Sequence, residues 1–152
     1  MTRSRPSLTA LLRALGRHRR EGPCGVFMGA NVFDGISPRF LTQKERLAAR
    51  EAHERGLRLL KQNLSPAQRS QWEEHGYFEV VGGETGRRYR IRTGSQMNIE
   101  QLNKKGRAVR LLCFVPAGEL VMGDVMLAQK LALELFEKDA LKVANEFPVD
   151  FA

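Results

Sequence analysis

The run Arg87-Arg88-Tyr89-Arg90-Ile91-Arg92 is the stretch of this sequence best suited to engage another molecule. In an extended strand side chains alternate between faces, so Tyr89 and Ile91 take one side and Arg88, Arg90 and Arg92 the other. The apolar pair must face a core, which leaves three guanidiniums on the open face. Residues two apart on a strand lie about 6.5–7 Å apart, a spacing that suits successive phosphates of a nucleic-acid backbone. Lys104, Lys105 and Arg107 fall in the next turn but one and extend the same basic surface. The competing reading is internal pairing. Glu79 and Glu100 share the outward phase on the flanking strands, and cross-strand Arg–Glu pairs would absorb part of the charge. Rings for base stacking are scarce: Tyr77 alone has the outward phase, while Phe78, Tyr89 and Phe114 are assigned to the core.

A second basic element lies at the N-terminus. Arg3, Arg5, Arg13, Arg17, Arg19 and Arg20 occur in the first 20 residues with no acid among them. Residues 1–63 hold 13 Lys+Arg against 5 Asp+Glu, whereas residues 64–152 hold 12 of each, so the whole net charge of +8 belongs to the first part. Segregation of this kind reports a partner more often than a fold. Counterion release by such an arm gives phosphate affinity without sequence selectivity. Leu8, Leu11, Leu12 and Leu15 have helical spacing, so the same segment also suits docking on protein, with its arginines merely solvated. Its Arg-rich, acid-free composition shares features with a mitochondrial presequence, but a cytoplasmic location is expected. The short apolar segment is broken by Arg13, unlike a secretory signal.

Nothing in the sequence has the pattern of a reactive centre. His18, His53 and His75 fall in three separate expected helices without ligand spacing, and Cys24 and Cys113 form no CxxC, so neither metal nor cofactor is expected. Both thiols read as reduced and buried. Gly25, Gly29 and Gly35 do not build a phosphate loop, since no Gly-Lys-Ser/Thr follows. The reading is of a non-enzymatic protein. No apolar run approaches the roughly 20 residues needed to span a membrane.

These residues must be held by a domain of ordinary composition, 42% apolar and 28% charged over 152 residues. The sequence divides into a basic arm and helix over 1–21, a glycine-containing connector over 22–41, and a single α+β domain over 42–152. Thr42-Gln43-Lys44-Glu45 and Ser65-Pro66-Ala67-Gln68 are capping boxes. They predict a helix to about residue 62 and another stopping at His75-Gly76. Leu41, Ala48, Ala52 and Leu59 form the expected inner stripe of the first, with Glu51–Arg55 and Glu54–Arg58 pairs outside. In the second, Ala67 and Trp72 are expected to face inward.

From Tyr77 the period becomes two. Strands are predicted over Tyr77–Val81, Arg87–Arg92, Met97–Leu102 and Ala108–Val115, with turns at Gly82-Gly83-Glu84-Thr85-Gly86 and Asn103-Lys104-Lys105-Gly106. A helix follows, capped by Asp124, apolar around most of its circumference and therefore buried on two sides or against a partner. Its expected role is to cover Tyr89, Ile91, Val109 and Leu111 with one face. Met126 and Leu133 then lie opposite the Leu127–Leu131 stripe, under the connector or a second chain. A last helical turn is expected over Ala140–Phe147.

The order Ser65-Pro66-Ala67-Gln68-Arg69, Gly76-Tyr77-Phe78, Gly86-Arg87-Arg88-Tyr89-Arg90-Ile91, Asn98-Ile99, Leu112-Cys113-Phe114-Val115-Pro116, Gly123-Asp124 and Leu127-Ala128-Gln129-Lys130 resembles a small uncharacterised bacterial domain family, over about residues 65–147. The resemblance implies a bacterial or phage setting and brings no activity, cofactor or catalytic residue with it.

The sequence thus predicts an α+β fold: N-terminal helices, a four-stranded antiparallel meander and a C-terminal helix packed on one sheet face. The expected function is nucleic-acid binding, DNA or RNA, through the arm and the Arg-rich strand. The alternative is a protein–protein interaction or assembly module acting through the apolar C-terminal helix and the N-terminal Leu stripe.

Overall fold

The computed structural model describes residues 42–118 and 120–149; the basic arm and the connector, Leu41 included, lie outside them. Helix α1 (Gln43–Gln62) and helix α2 (Pro66–His75) begin where the capping boxes place them. Thr42 Oγ1 accepts the Glu45 N–H while the Glu45 carboxylate accepts the Thr42 N–H, at 3.3 and 2.7 Å. Ser65 and Gln68 repeat the exchange. Gly76 ends α2 in the left-handed conformation, φ 69°, a cap that glycine adopts without a Cβ penalty.

Five strands follow in one antiparallel sheet of order β1-β2-β3-β4-β5: β1 (Tyr77–Val81), β2 (Arg88–Arg92), β3 (Ile99–Leu102), β4 (Ala108–Cys113) and β5 (Asn145–Phe147). The architecture is α+β, with one strand more than predicted. The segment expected as a helical turn over Ala140–Phe147 is instead the end of helix α4 (Glu137–Val143) and then β5, which pairs with β4 through Leu111, Leu112 and Cys113. Phe78 and Val80 of β1, Tyr89 and Ile91 of β2, Ile99 of β3 and Leu112 of β4 share the inner face and are all buried. Val109 and Leu111 were expected among them, but Leu112 takes the inner phase and Leu111 pairs with Glu100 on the outward face. The register passes from Gln101↔Arg110 to Leu102↔Ala108, so Val109 is the additional residue of a bulge and stands 47% exposed.

The outer edge of β1 is closed by α2. Gln71 accepts the Glu79 N–H and Gln68 donates to the Glu79 carbonyl, each at 2.9 Å, so the Glu79 backbone groups facing away from β2 are satisfied. Trp72 packs against the core, but Ala67, expected beside it, is exposed.

Helix α3 (Met122–Leu135) lies between this sheet and α1. Its N-cap is Val121, and Asp124 sits in the first turn without capping. The expected Asp124 cap is therefore displaced by three residues. The reason is tertiary. Gly123 is seated against the backbone of Gly56 in α1, where a Cβ would overlap the Gly56 carbonyl carbon and oxygen and the Leu57 nitrogen. That crossing also rotates α1 from its expected orientation. Gly56 and Leu60 are buried, while Ala48 is exposed and Leu59 is 46% exposed. Glu54 pairs with Arg50 at 2.9 Å rather than with Arg58, and the Glu51–Arg55 pair is kept at 3.8 Å. Met126 and Leu133 belong to the central core with Leu60, Phe78 and Ile91, not to a face awaiting the connector, whereas Leu131 is 42% exposed.

We expect Gly123→Ala to lower stability by at least about 1–3 kcal/mol, the usual cost of overpacking a tight contact, read as a lowered urea midpoint. Ala67→Ser, on the exposed face of α2, should stay within about 0.5 kcal/mol of the parent protein.

Candidate nucleic-acid interface

The structure brings Arg88, Arg90 and Arg92 together on the outward face of β2, as alternation requires, and places Glu79 and Glu100 between them. The Glu79 carboxylate meets Arg88 at 2.6 Å and Arg90 at 3.1 Å, and Glu100 meets Arg90 at 3.0 Å and also Arg92. The cross-strand pairs follow from the register, since Arg90 is directly opposite both Glu79 and Glu100. Arg90 is the centre of this ladder: its side chain is 17% exposed and bridges two carboxylates. Burial works against its charge, but the hydrogen bonds and charges of Glu79 and Glu100 prevail and stabilise the cationic form. Arg88 and Arg92, with side chains 45% and 52% exposed, retain open donors toward solvent.

Lys104, Lys105 and Arg107 are arranged differently. Their turn is built by Asn103, whose side-chain oxygen accepts the N–H groups of Lys105 and Arg107 at 2.9 and 3.1 Å. All three side chains are exposed, and no carboxylate among the described residues pairs with them. Because Arg88 is opposite Leu102, and Leu102 opposite Ala108, this turn shares an end of the sheet with the β1–β2 hairpin. Arg87, which closes that hairpin, is exposed but not free: its side chain hydrogen-bonds the Tyr89 phenol that Glu137 holds. Arg87, expected within the strand, lies one residue before β2. The arm residues Arg3, Arg5, Arg13, Arg17, Arg19 and Arg20 lie outside the described residues.

Most of the described acids in this half of the chain are engaged elsewhere. Glu137 is fully buried and accepts four hydrogen bonds: from the N–H groups of Glu84 and Thr85 at 3.1 and 2.7 Å, from the Tyr89 hydroxyl at 2.7 Å, and from the Thr85 hydroxyl. The glycine-rich hairpin is thus an anion nest filled by the protein's own carboxylate. A Cβ at Gly82 would overlap that carboxylate, and one at Gly83 the Glu134 carbonyl oxygen. Glu84 returns the contact by accepting the Lys138 N–H at 2.7 Å. Glu134 pairs with Lys130, and Glu146 with Arg110. Burial opposes ionisation of Glu137, but the Thr85 and Tyr89 hydroxyls and the two backbone N–H groups outweigh it and hold the carboxyl below its ordinary range. Burial, followed by Glu137 itself, pushes the Tyr89 phenol far above the usual tyrosine range.

A second buried polar pair joins the sheet to α3. Asn98 and Gln129 exchange amide hydrogen bonds at 2.9 and 3.0 Å, and Gln129 also donates to the Phe114 carbonyl. Both polar constellations are enclosed and internally satisfied. His53 is half-buried on α1 and His75 exposed at the end of α2, Cys113 is buried, and no cluster with metal-binding composition occurs among the described residues. No described helix is long and apolar enough to cross a membrane. No family model, curated protein or solved structure matches the chain.

Two outcomes follow. Arg90→Gln leaves Glu79 and the buried Glu100 without their shared cation and should cost about 1–3 kcal/mol, whereas Arg88→Gln should stay within about 0.5 kcal/mol. Outward placement alone would make all three arginines equally dispensable to folding; the ladder makes them unequal. For Glu137, a lowered folded-state value means that its contribution is complete above the unfolded glutamate value of about 4.3. It is lost as pH falls through the folded value. Glu137→Gln should therefore flatten the acid limb of stability against pH, and a limb of unchanged slope would contradict the assignment.

Proposed function

We propose that this protein is a non-enzymatic nucleic-acid-binding protein whose described domain presents a basic end of the sheet to the phosphate backbone. One observation carries the reading: Lys104, Lys105 and Arg107 gather on the β3–β4 turn without carboxylate partners among the described residues, beside Arg87 of the neighbouring hairpin, while Glu79, Glu100, Glu137 and Glu134 are committed to the Arg ladder, the glycine-rich nest and α3. A half-chain of zero net charge thereby carries a local excess of cations. The arm, with six arginines in its first 20 residues, adds charge of the same sign. Exposed cations of this kind bind phosphate through counterion release. Arg88 and Arg92 supply the flank of this surface, and Arg90 serves chiefly to hold the ladder.

Assembly through α3 is the second reading, and it has its own observation: Leu131 and Leu135, one turn apart on the solvent side, are 42% and 60% exposed. It implies a concentration-dependent mass in light scattering that Leu131→Ser/Leu135→Ser abolishes.

For nucleic-acid binding we expect a logarithmic salt slope near −3 to −4, corresponding to about four phosphates neutralised. Replacing Lys104, Lys105 and Arg107 with Gln should make that slope shallower by about 0.9 for each lost contact, with the urea midpoint unchanged. Deleting residues 1–20 should flatten it further. Full-length protein that binds neither DNA nor RNA at low salt would refute the reading.

A further inference from the structure

Resting on the reading above, we propose that the nucleic acid is single-stranded, and that an unpaired base adds to a stack built from His75 and Tyr77 on the outward side of β1. The two residues lie on either side of Gly76, whose left-handed turn reverses the chain between α2 and β1. Their rings stack with centroids 5.4 Å apart and planes 25° from parallel. Arg90 lies over the Tyr77 ring at 4.5 Å and Arg92 at 5.9 Å. The result is a column of histidine, tyrosine and guanidinium groups, in which Arg90 is fixed by its two carboxylates.

The turn beneath the column is held by three hydrogen bonds. Thr93 donates its backbone N–H and its hydroxyl to the Gly76 carbonyl, each at 2.8 Å, and its hydroxyl accepts the Trp72 indole N–H at 3.1 Å. The His75 side chain is 52% exposed, as is that of Arg92, so the column opens to solvent, with the Glu74 carboxylate 3.5 Å from His75 Nε2. Aromatic faces flanked by arginine are the means by which single-stranded binders hold bases without reading their edges. A base paired and stacked within a duplex has no face to offer such a column.

The dimensions agree. From Arg92 to Arg88 the chain advances four residues, about 13 Å along a strand, which brings a short single strand from the ring column to the basic end formed by Arg87, Lys104, Lys105 and Arg107. Ring stacking at one end and phosphate contact at the other also explains how so small a surface would dispense with a groove.

The test uses the full chain with a fluorescein-labelled 12-nucleotide oligothymidylate and the same strand annealed to oligoadenylate, at one salt concentration. We expect the single strand to bind at least about tenfold more tightly and to change the emission of Trp72, the sole tryptophan. His75→Ala should weaken single-strand binding by between about five- and about a hundredfold, the span of base–aromatic stacking. Duplex binding should not change, and His75→Phe should restore the single-strand affinity. Equal affinity for duplex and single strand, or a His75→Ala protein that binds the single strand normally, would overturn the inference. In either case loss of binding on replacing Lys104, Lys105 and Arg107 would leave the phosphate-binding function standing. Absence of binding to both probes at low salt would overturn the two together.

Discussion

The close crossing of α3 over α1 at Gly123 and Gly56 is the contact on which the rest of this domain depends. A helix held between a sheet and a second helix has little surface left for water, so most of its circumference must be apolar, small or internally hydrogen-bonded. Helix α3 meets each demand at a different position. Val125, Met126 and Leu133 are buried in the core, Gly123 lets two backbones touch, and Gln129 is buried only because Asn98 and the Phe114 carbonyl satisfy its amide. Its C-terminal end then meets the β1–β2 hairpin, because Gly83 donates to the Leu133 carbonyl at 3.1 Å, and Glu137, the first residue of α4, fills the hairpin's nest. The basic end of the sheet is therefore anchored from below by the same helix that organises the core.

Electrostatics over this scaffold is a matter of which acids remain uncommitted. Glu79 and Glu100 are held by three arginines, Glu137 by hydroxyls and backbone N–H groups, and Glu134 by Lys130. Exposed ion pairs contribute little to stability, but the ladder is partly buried and its central guanidinium cannot turn toward a ligand without abandoning two carboxylates. The three arginines of β2 are consequently unequal, although the sequence presents them as a uniform series. Arg90 braces the sheet, and Arg88 and Arg92 stand at its margins.

Much of the fold was legible because it is locally encoded. Thr42 with Glu45, Ser65 with Gln68, and Gly76 after His75 each declare a helix end within four residues, and all three occur where read. Alternation correctly divided Tyr89 and Ile91 from the arginines of β2. The errors arose where a distant partner outweighed a local signal. Asp124 has the chemistry of a cap, yet the helix begins earlier because Gly123 must reach Gly56. Apolarity chose Ala48 and Leu59 for the inner stripe of α1, whereas close packing chose Gly56, which no hydrophobic scale favours. Asn145–Phe147 has too few residues to declare a strand and becomes one by pairing with β4. Val109 and Leu111 read as the inner phase of β4, but register sets Leu112 opposite Ile99 and turns that phase outward.

The sequence by itself determined the helix ends, the glycine turns, the inner faces of β1 and β2 and the concentration of positive charge before residue 64, since each depends on neighbours a few positions apart or on composition. The tertiary structure decided which cations keep a partner. Glu79 and Glu100 neutralise arginines 9 to 11 and 8 to 10 residues away, and such pairing is set by strand register rather than by spacing. It likewise decided that Arg87 joins Lys104, Lys105 and Arg107 at one end, and that His75 and Tyr77 stack across a turn. These juxtapositions exist only after the sheet has fixed its register and α3 has fixed the hairpins upon it.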